Sequence, residues 1–160
     1  MSNLVVGEQA PNFTLASTNG ENISLSDFKD KNDVVLFFYP KDHTPGCTNE
    51  ASEFRDYFKE FNAKGYTLLG ISKDSLKSHI KFKEKLNLPF ELLSDEERVV
   101  HELYGVLKPK KMFGKDVIGT VRSTFIIDKN GKLVKEFRNV KTTGHAEEIL
   151  QFLTEKNNDK

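Results

Sequence analysis

The chain has 160 residues, the length of one ordinary domain and too short for two good cores. Apolar residues make up 37% of it and charged residues 30%, a globular rather than a disordered composition. The 24 basic side chains are balanced by 24 acidic ones, which argues against a nucleic-acid partner, because phosphate binding needs a one-sided excess of Lys and Arg.

In chain order, Phe13 to Ser17 and Asn22 to Leu25 flank Asn19-Gly20 and read as a β-hairpin. Ser24 or Ser26 then suits the cap of a short helix through Phe28. Val34 to Tyr39 is an unbroken β-branched and aromatic run, as expected of a central strand covered on both faces. It is also the longest strongly apolar run, far below the roughly 20 residues that span a bilayer. Pro40 stops it and Lys41 to Gly46 form a loop. From Cys47 the pattern turns helical, with Phe54, Phe58 and Phe61 on one face and Gly65 at the end.

Tyr66 to Ile71 reads as a second buried strand, and Ser75 caps a helix to about Leu86. Pro89 to Leu93 is a short strand, and Asp95 is expected to cap a helix through Tyr104. A loop containing Gly114 and Gly119 follows. It includes the densest basic run, Lys108-Pro109-Lys110-Lys111, which reads as solvated loop. Ser123 to Ile127 and Lys132 to Phe137 form a hairpin around Asp128 to Gly131. A last helix runs from about His145 to Lys156, with Thr154 to Lys160 expected to fray. The whole chain, 1–160, is read as a single domain. The alternation of units predicts an α/β layered fold with a mixed central sheet, flanking helices and an N-terminal hairpin. In such sheets chemistry sits beyond the carboxyl end of a central strand, which is where Pro40 to Cys47 falls.

Thr44-Pro45-Gly46-Cys47 reads as a helix start. Thr44 is a good N-cap, and Pro45 at the first helical position has the right φ and no donor to lose. Cys47 then lies in the first turn, where unpaired amides and the positive end of the helix dipole favour a thiolate. The Thr44 hydroxyl can cap the helix or turn toward a bound oxygen. A lone free cysteine is more often a small buried hydrophobe, so the frame around Cys47 carries the functional reading.

Pro40-Lys41-Asp42-His43-Thr44-Pro45-Gly46-Cys47 matches the pattern Pro-x-x-x-Thr-x-x-Cys and resembles the active site of the peroxiredoxins. The longer stretch from Phe38 to Ala51, with Phe54-Arg55-Asp56, is similar to the bacterioferritin-comigratory, or Q-type, subfamily. Weaker pieces follow in the right order, among them Ala10 to Phe13, Gly70-Ile71-Ser72, Leu93-Ser94-Asp95, Tyr104-Gly105-Val106 and Arg122 to Asp128. The resemblance implies a thioredoxin-like fold and a thiol-dependent, antioxidant peroxidase acting on hydrogen peroxide and organic hydroperoxides. By it, Cys47 attacks the peroxide, Thr44 hydrogen-bonds it, and Pro45 shields the sulfur. Arg122 holds the thiolate and the developing oxyanion, and Glu50 holds Arg122. His43 and Arg55 are read as solvated, without a role.

Many members of the subfamily carry a second, resolving cysteine five residues after the first. Here that position is Ser52, either natural or an engineered replacement, and no other cysteine exists. The sulfenic acid must therefore be recycled by an external thiol, a thioredoxin-like protein or a small thiol. The resemblance leans toward a monomer. Cofactors and metals are not expected: one Cys and the scattered His43, His79, His101 and His145 do not make a zinc site. Thioredoxin-type exchange needs a cysteine where Thr44 stands, and a phosphatase loop needs an arginine where Glu53 stands. The remaining alternative is a redox-regulated chaperone or sensor on the same fold, which needs Cys47 but not Thr44 and Arg122. A cytoplasmic location is expected, since Met1 to Glu8 lacks a signal pattern and secreted domains usually use cysteines in pairs.

Overall fold

In a computed structural model, which describes residues 4–158, β1 (Thr14–Ser17) and β2 (Asn22–Ser24) pair as the expected hairpin. A 3-10 turn, Leu25–Phe28, follows with Ser24 at its N-cap. Next come β3 (Asp33–Phe38), α1 (Pro45–Asp56), α2 (Phe58–Ala63), β4 (Tyr66–Ser72), α3 (Leu76–Leu86), β5 (Glu91–Ser94) and α4 (Val99–Leu103). The chain continues through β6 (Leu107–Met112), β7 (Lys115–Thr120), β8 (Ser123–Ile127), β9 (Leu133–Arg138) and α5 (His145–Asn158).

Seven strands form one mixed sheet in the order β2-β1-β5-β4-β3-β8-β9. β3 runs parallel to β4, and β4 to β5, whereas β8 lies antiparallel to β3 and β9 antiparallel to β8. Alternation along β3 feeds two cores. Val35 and Phe37 pack with Phe54, Phe61, Phe82 and Ile149 from α1, α2, α3 and α5. Val34, Leu36 and Phe38 face Leu25, Val100, Tyr104 and Phe125 on the other side. Each buried Phe stabilises the fold by about 1.5–3 kcal/mol. Gly70 lets Phe37 cross β4, since a Cβ there would stand 2.8 Å from the ring.

Four expectations are corrected. The helix after Cys47 is two helices, broken at Tyr57. The break brings the rings of Phe54 and Phe61 to 5.9 Å, whereas two turns of continuous helix would set them about 10 Å apart along its axis. Asp95 is not the residue before α4. Arg98, left-handed at φ 59°, holds that place, but the Asp95 carboxylate reaches in to accept the His101 amide at 2.8 Å and so does the work of a cap. The loop around Gly114 and Gly119 is a two-stranded ribbon of β6 and β7, outside the main sheet. Finally, residues Thr154 to Asn158 continue α5, and the rest of the expected fray, 159–160, lies outside the described residues.

Candidate active site

β3 ends at Phe38, and the chain turns through Tyr39 to Thr44 before α1 begins. His43 is left-handed at φ 62°, which is unfavourable for a residue with a Cβ. Its exposed ring lies edge-on to Phe82 at 5.2 Å. Thr44 is the N-cap residue and Pro45 opens α1, as expected, but the Thr44 hydroxyl makes no capping bond. It donates instead to the Lys41 carbonyl at 2.8 Å, leaving its oxygen lone pairs free of the helix.

Cys47 is the third residue of α1 and only 1% exposed. The amides of the first turn have no carbonyl one turn earlier to bond, so the sulfur lies at the electropositive end of the helix. Arg122 comes from the far side, just before β8. Its Nη1 donates to Cys47 Sγ at 3.4 Å and to Glu50 Oε1 at 2.8 Å. One guanidinium nitrogen thus serves both groups, three residues apart on α1.

The electrostatics are unequal. Burial opposes the charge on Arg122, but the Glu50 carboxylate and the Cys47 sulfur outweigh it, raising its pKa above the ordinary value. Glu50 is 1% exposed. There burial outweighs Arg122, pushing the carboxyl pKa up to about 7. Its second oxygen, Oε2, is buried without a hydrogen-bond partner.

Three further residues shape the site, and sequence reasoning gave them no part. A Cβ on Gly46 would stand 3.1 Å from Thr142 Cγ2 and 3.4 Å from Arg122 Nη2, so glycine leaves room for the arginine. Asn49 Nδ2 donates to the Thr142 carbonyl at 2.7 Å, and the Glu53 carboxylate accepts the Gly144 amide at 2.8 Å. The segment after β9 is thereby tied to α1, and its Val140 amide donates to the Arg122 carbonyl. Arg55 reaches away from the sulfur to the Leu86 carbonyl. Ser52 is half-buried in α1.

One cluster outside the site gathers ligand-type atoms: Asp42, Asp74 and His79 lie within 4.8 Å of one another. The His79 nitrogens are taken by Asp42 Oδ2 at 2.7 Å and the Leu93 carbonyl at 2.9 Å. Asp74 Oδ2 accepts from the Asp42 amide and from Ser72. These contacts join the three residues in one hydrogen-bonded network.

A cysteine at a helix start beside an arginine, on a mixed sheet of this order, is the arrangement of the peroxiredoxin class of thiol peroxidases. The model of the AhpC/TSA family matches residues 6–136. The chain is 51% identical over 148 residues to peroxiredoxin Bcp of Bacillus subtilis, covering 92% of this chain and 94% of that one. It is 50% identical to a putative peroxiredoxin bcp of Coxiella burnetii, over 91% and 95% of the two chains. Among solved structures, a cysteine-to-serine mutant of PrxQ from Xylella fastidiosa superposes with a TM-score of 0.90 at 37% identity, covering 98% of this chain and 99% of that one. The bacterioferritin comigratory protein of Xanthomonas campestris gives 0.87 at 35% identity, over 98% and 99% of the two chains. The chain belongs to the AhpC/TSA family, with its relatives among the Bcp and Q-type peroxiredoxins. It is a thiol-dependent peroxidase on a thioredoxin-like fold.

Proposed function

We propose that Cys47 is the peroxide-reducing residue of a one-cysteine cycle. The observation that carries this is the Arg122 nitrogen lying on both Cys47 Sγ and Glu50 Oε1. The thiolate attacks the terminal peroxide oxygen, the S–O bond forms as the O–O bond breaks, and the leaving oxygen departs as hydroxide or alkoxide and takes up a proton. Cys47 becomes a sulfenic acid. Arg122 holds the charge on sulfur and meets the charge that develops on the peroxide oxygens. Thr44, its own proton on the Lys41 carbonyl, accepts the hydrogen bond of the peroxide. Pro45, the first residue of α1 and exposed, stands between the sulfur and water. Glu50 orients Arg122.

Cys47 has no second cysteine to pair with. An external thiol therefore condenses with the sulfenic acid, releasing water and leaving a mixed disulfide. A second thiol completes the reduction. The substrates are hydrogen peroxide and organic hydroperoxides. The latter are supported by the Xanthomonas relative, whose structure was described in terms of alkyl peroxide reduction. The protein acts as a cytoplasmic monomer. No helix among the described residues is long and apolar enough to cross a membrane.

The test is peroxide consumption with a small thiol or a thioredoxin-like protein as sole reductant, by the parent chain and by Cys47→Ser. Turnover by the parent alone supports the cycle. Equal turnover by both removes Cys47 from it.

A further inference from the structure

The turn that carries Thr44 is held from beneath by a buried polar network. Asp42, 2% exposed, accepts from Tyr39 Oη at 2.6 Å, from Ser78 Oγ at 2.9 Å and from His79 Nδ1 at 2.7 Å. Its own amide donates to Asp74 Oδ2 at 2.7 Å. With three donors on it, the Asp42 carboxylate acts as an acceptor only. His79 Nε2 faces the Leu93 carbonyl, also an acceptor, at 2.9 Å. Both His79 nitrogens and both Asp42 oxygens are thereby engaged, and Asp42 and His79 form one buried hydrogen-bonded pair within the fold.

Such a pair is a poor way to add stability, because burying polar groups costs about as much as their hydrogen bonds return. What it does supply is direction. Tyr39, which follows β3, and Ser78 and His79 of α3 bond Asp42 directly, and Leu93 of β5 holds the far nitrogen of His79. Three side chains thus hold one residue of a turn that is otherwise unfavourable, since the next residue, His43, is left-handed. The residue after that is Thr44.

We infer that Asp42, held by Tyr39, Ser78 and His79, is a positioning residue for the peroxide reaction: it fixes the 41–44 turn so that the Thr44 hydroxyl is presented to substrate. The inference rests on the role given to Thr44 above. It separates two requirements of the site. The thiolate depends on Arg122 and the helix start, and the peroxide cradle depends on the turn.

The experiment compares two rates in the full-length chain: peroxide reaction by stopped flow, and alkylation of Cys47 by iodoacetamide across pH. For Asp42→Asn the peroxide rate constant is expected to fall about 10- to 100-fold, the loss that roughly 1 Å of misplacement brings. Alkylation needs only the thiolate and is expected to stay within about twofold, with an unchanged pH profile. Tyr39→Phe removes one donor and keeps the ring. It is expected to lose about threefold to tenfold in peroxide rate, and it decides the matter if Asp42→Asn fails to fold. Peroxide rates equal to the parent's, or equal falls in both reactions, would overturn the inference. A parent chain inert to peroxide would instead overturn the reading it rests on.

Discussion

Two buried clusters of charge meet the turn between β3 and α1, and they are finished to different degrees. Around Asp42 the two carboxylate oxygens and both His79 nitrogens are engaged. Around Cys47 one arginine nitrogen serves two groups, and Glu50 Oε2 has no hydrogen-bond partner among the described residues. Burial without satisfaction is costly, so the second cluster sits where the fold gives up stability. The first sits where the fold uses charge to fix a shape. The difference fits the proposed division of labour: a site that receives a peroxide cannot have every hydrogen bond spoken for.

Substitutions can break this contrast, and the largest effect expected is on chemistry. Cys47→Ser abolishes peroxide consumption, read as loss of turnover with the far-UV circular dichroism unchanged. His79→Ala strikes the closed cluster and leaves the Asp42 charge buried without its main partner. Denaturant unfolding is expected to show a loss of about 3–5 kcal/mol. Arg122→Ala has the opposite signature: the peroxide rate falls about 10²- to 10³-fold, with little change in unfolding midpoint near pH 5, where Glu50 is protonated and loses no counter-charge. If His79→Ala costs no stability, or Arg122→Ala unfolds the chain, the division between the clusters fails.

Glu50 sharpens the comparison through pH. Its folded-state pKa of about 7 lies above the ordinary 4.5, so the folded protein favours the protonated carboxyl. The stability this group contributes is fully present below about pH 4.5 and is lost as pH rises through 7. The loss is roughly 3 kcal/mol in all. Melting temperatures from pH 5 to pH 8 should therefore decline less steeply in Glu50→Gln than in the parent chain. A parallel decline would mean that Arg122 neutralises Glu50 fully. The smallest of these rate effects is expected from Thr44→Val, which removes one hydrogen bond to peroxide. It should slow the peroxide reaction about 10- to 100-fold, at least as much as Asp42→Asn does, because the lost bond is to a charged transition state, and leave alkylation of Cys47 unchanged.

How much of this was legible depended on how local the cause is. The start of α1 could be read residue by residue, because Thr44, Pro45 and Cys47 act within one turn of chain. Arg122 lies 75 residues from Cys47 and entered only by resemblance, since a charge at a strand end is ordinary surface until its neighbour is known. The Asp42 network was invisible for the same reason: Asp42 and His79 are 37 residues apart, and His79 looked like one scattered histidine among four. The β6–β7 ribbon was read as a loop because Lys108-Pro109-Lys110-Lys111 does not alternate apolar and polar residues. A two-stranded ribbon outside the sheet buries too little to require that pattern, and Pro109 is tolerated at an edge. The break at Tyr57 is a tertiary effect, imposed where Phe54 and Phe61 enter one core.

The central claim is that the cluster around Cys47 activates its sulfur toward peroxide. The most direct measurement is the intact mass of the reduced chain after one equivalent of hydrogen peroxide, with rapid quenching and trapping of thiols. The account predicts that Cys47 gains a single oxygen within the mixing time and that a small thiol then restores the starting mass. A cysteine still unmodified after minutes would contradict it and leave Arg122 and Glu50 as a structural ion pair beside an inert thiol.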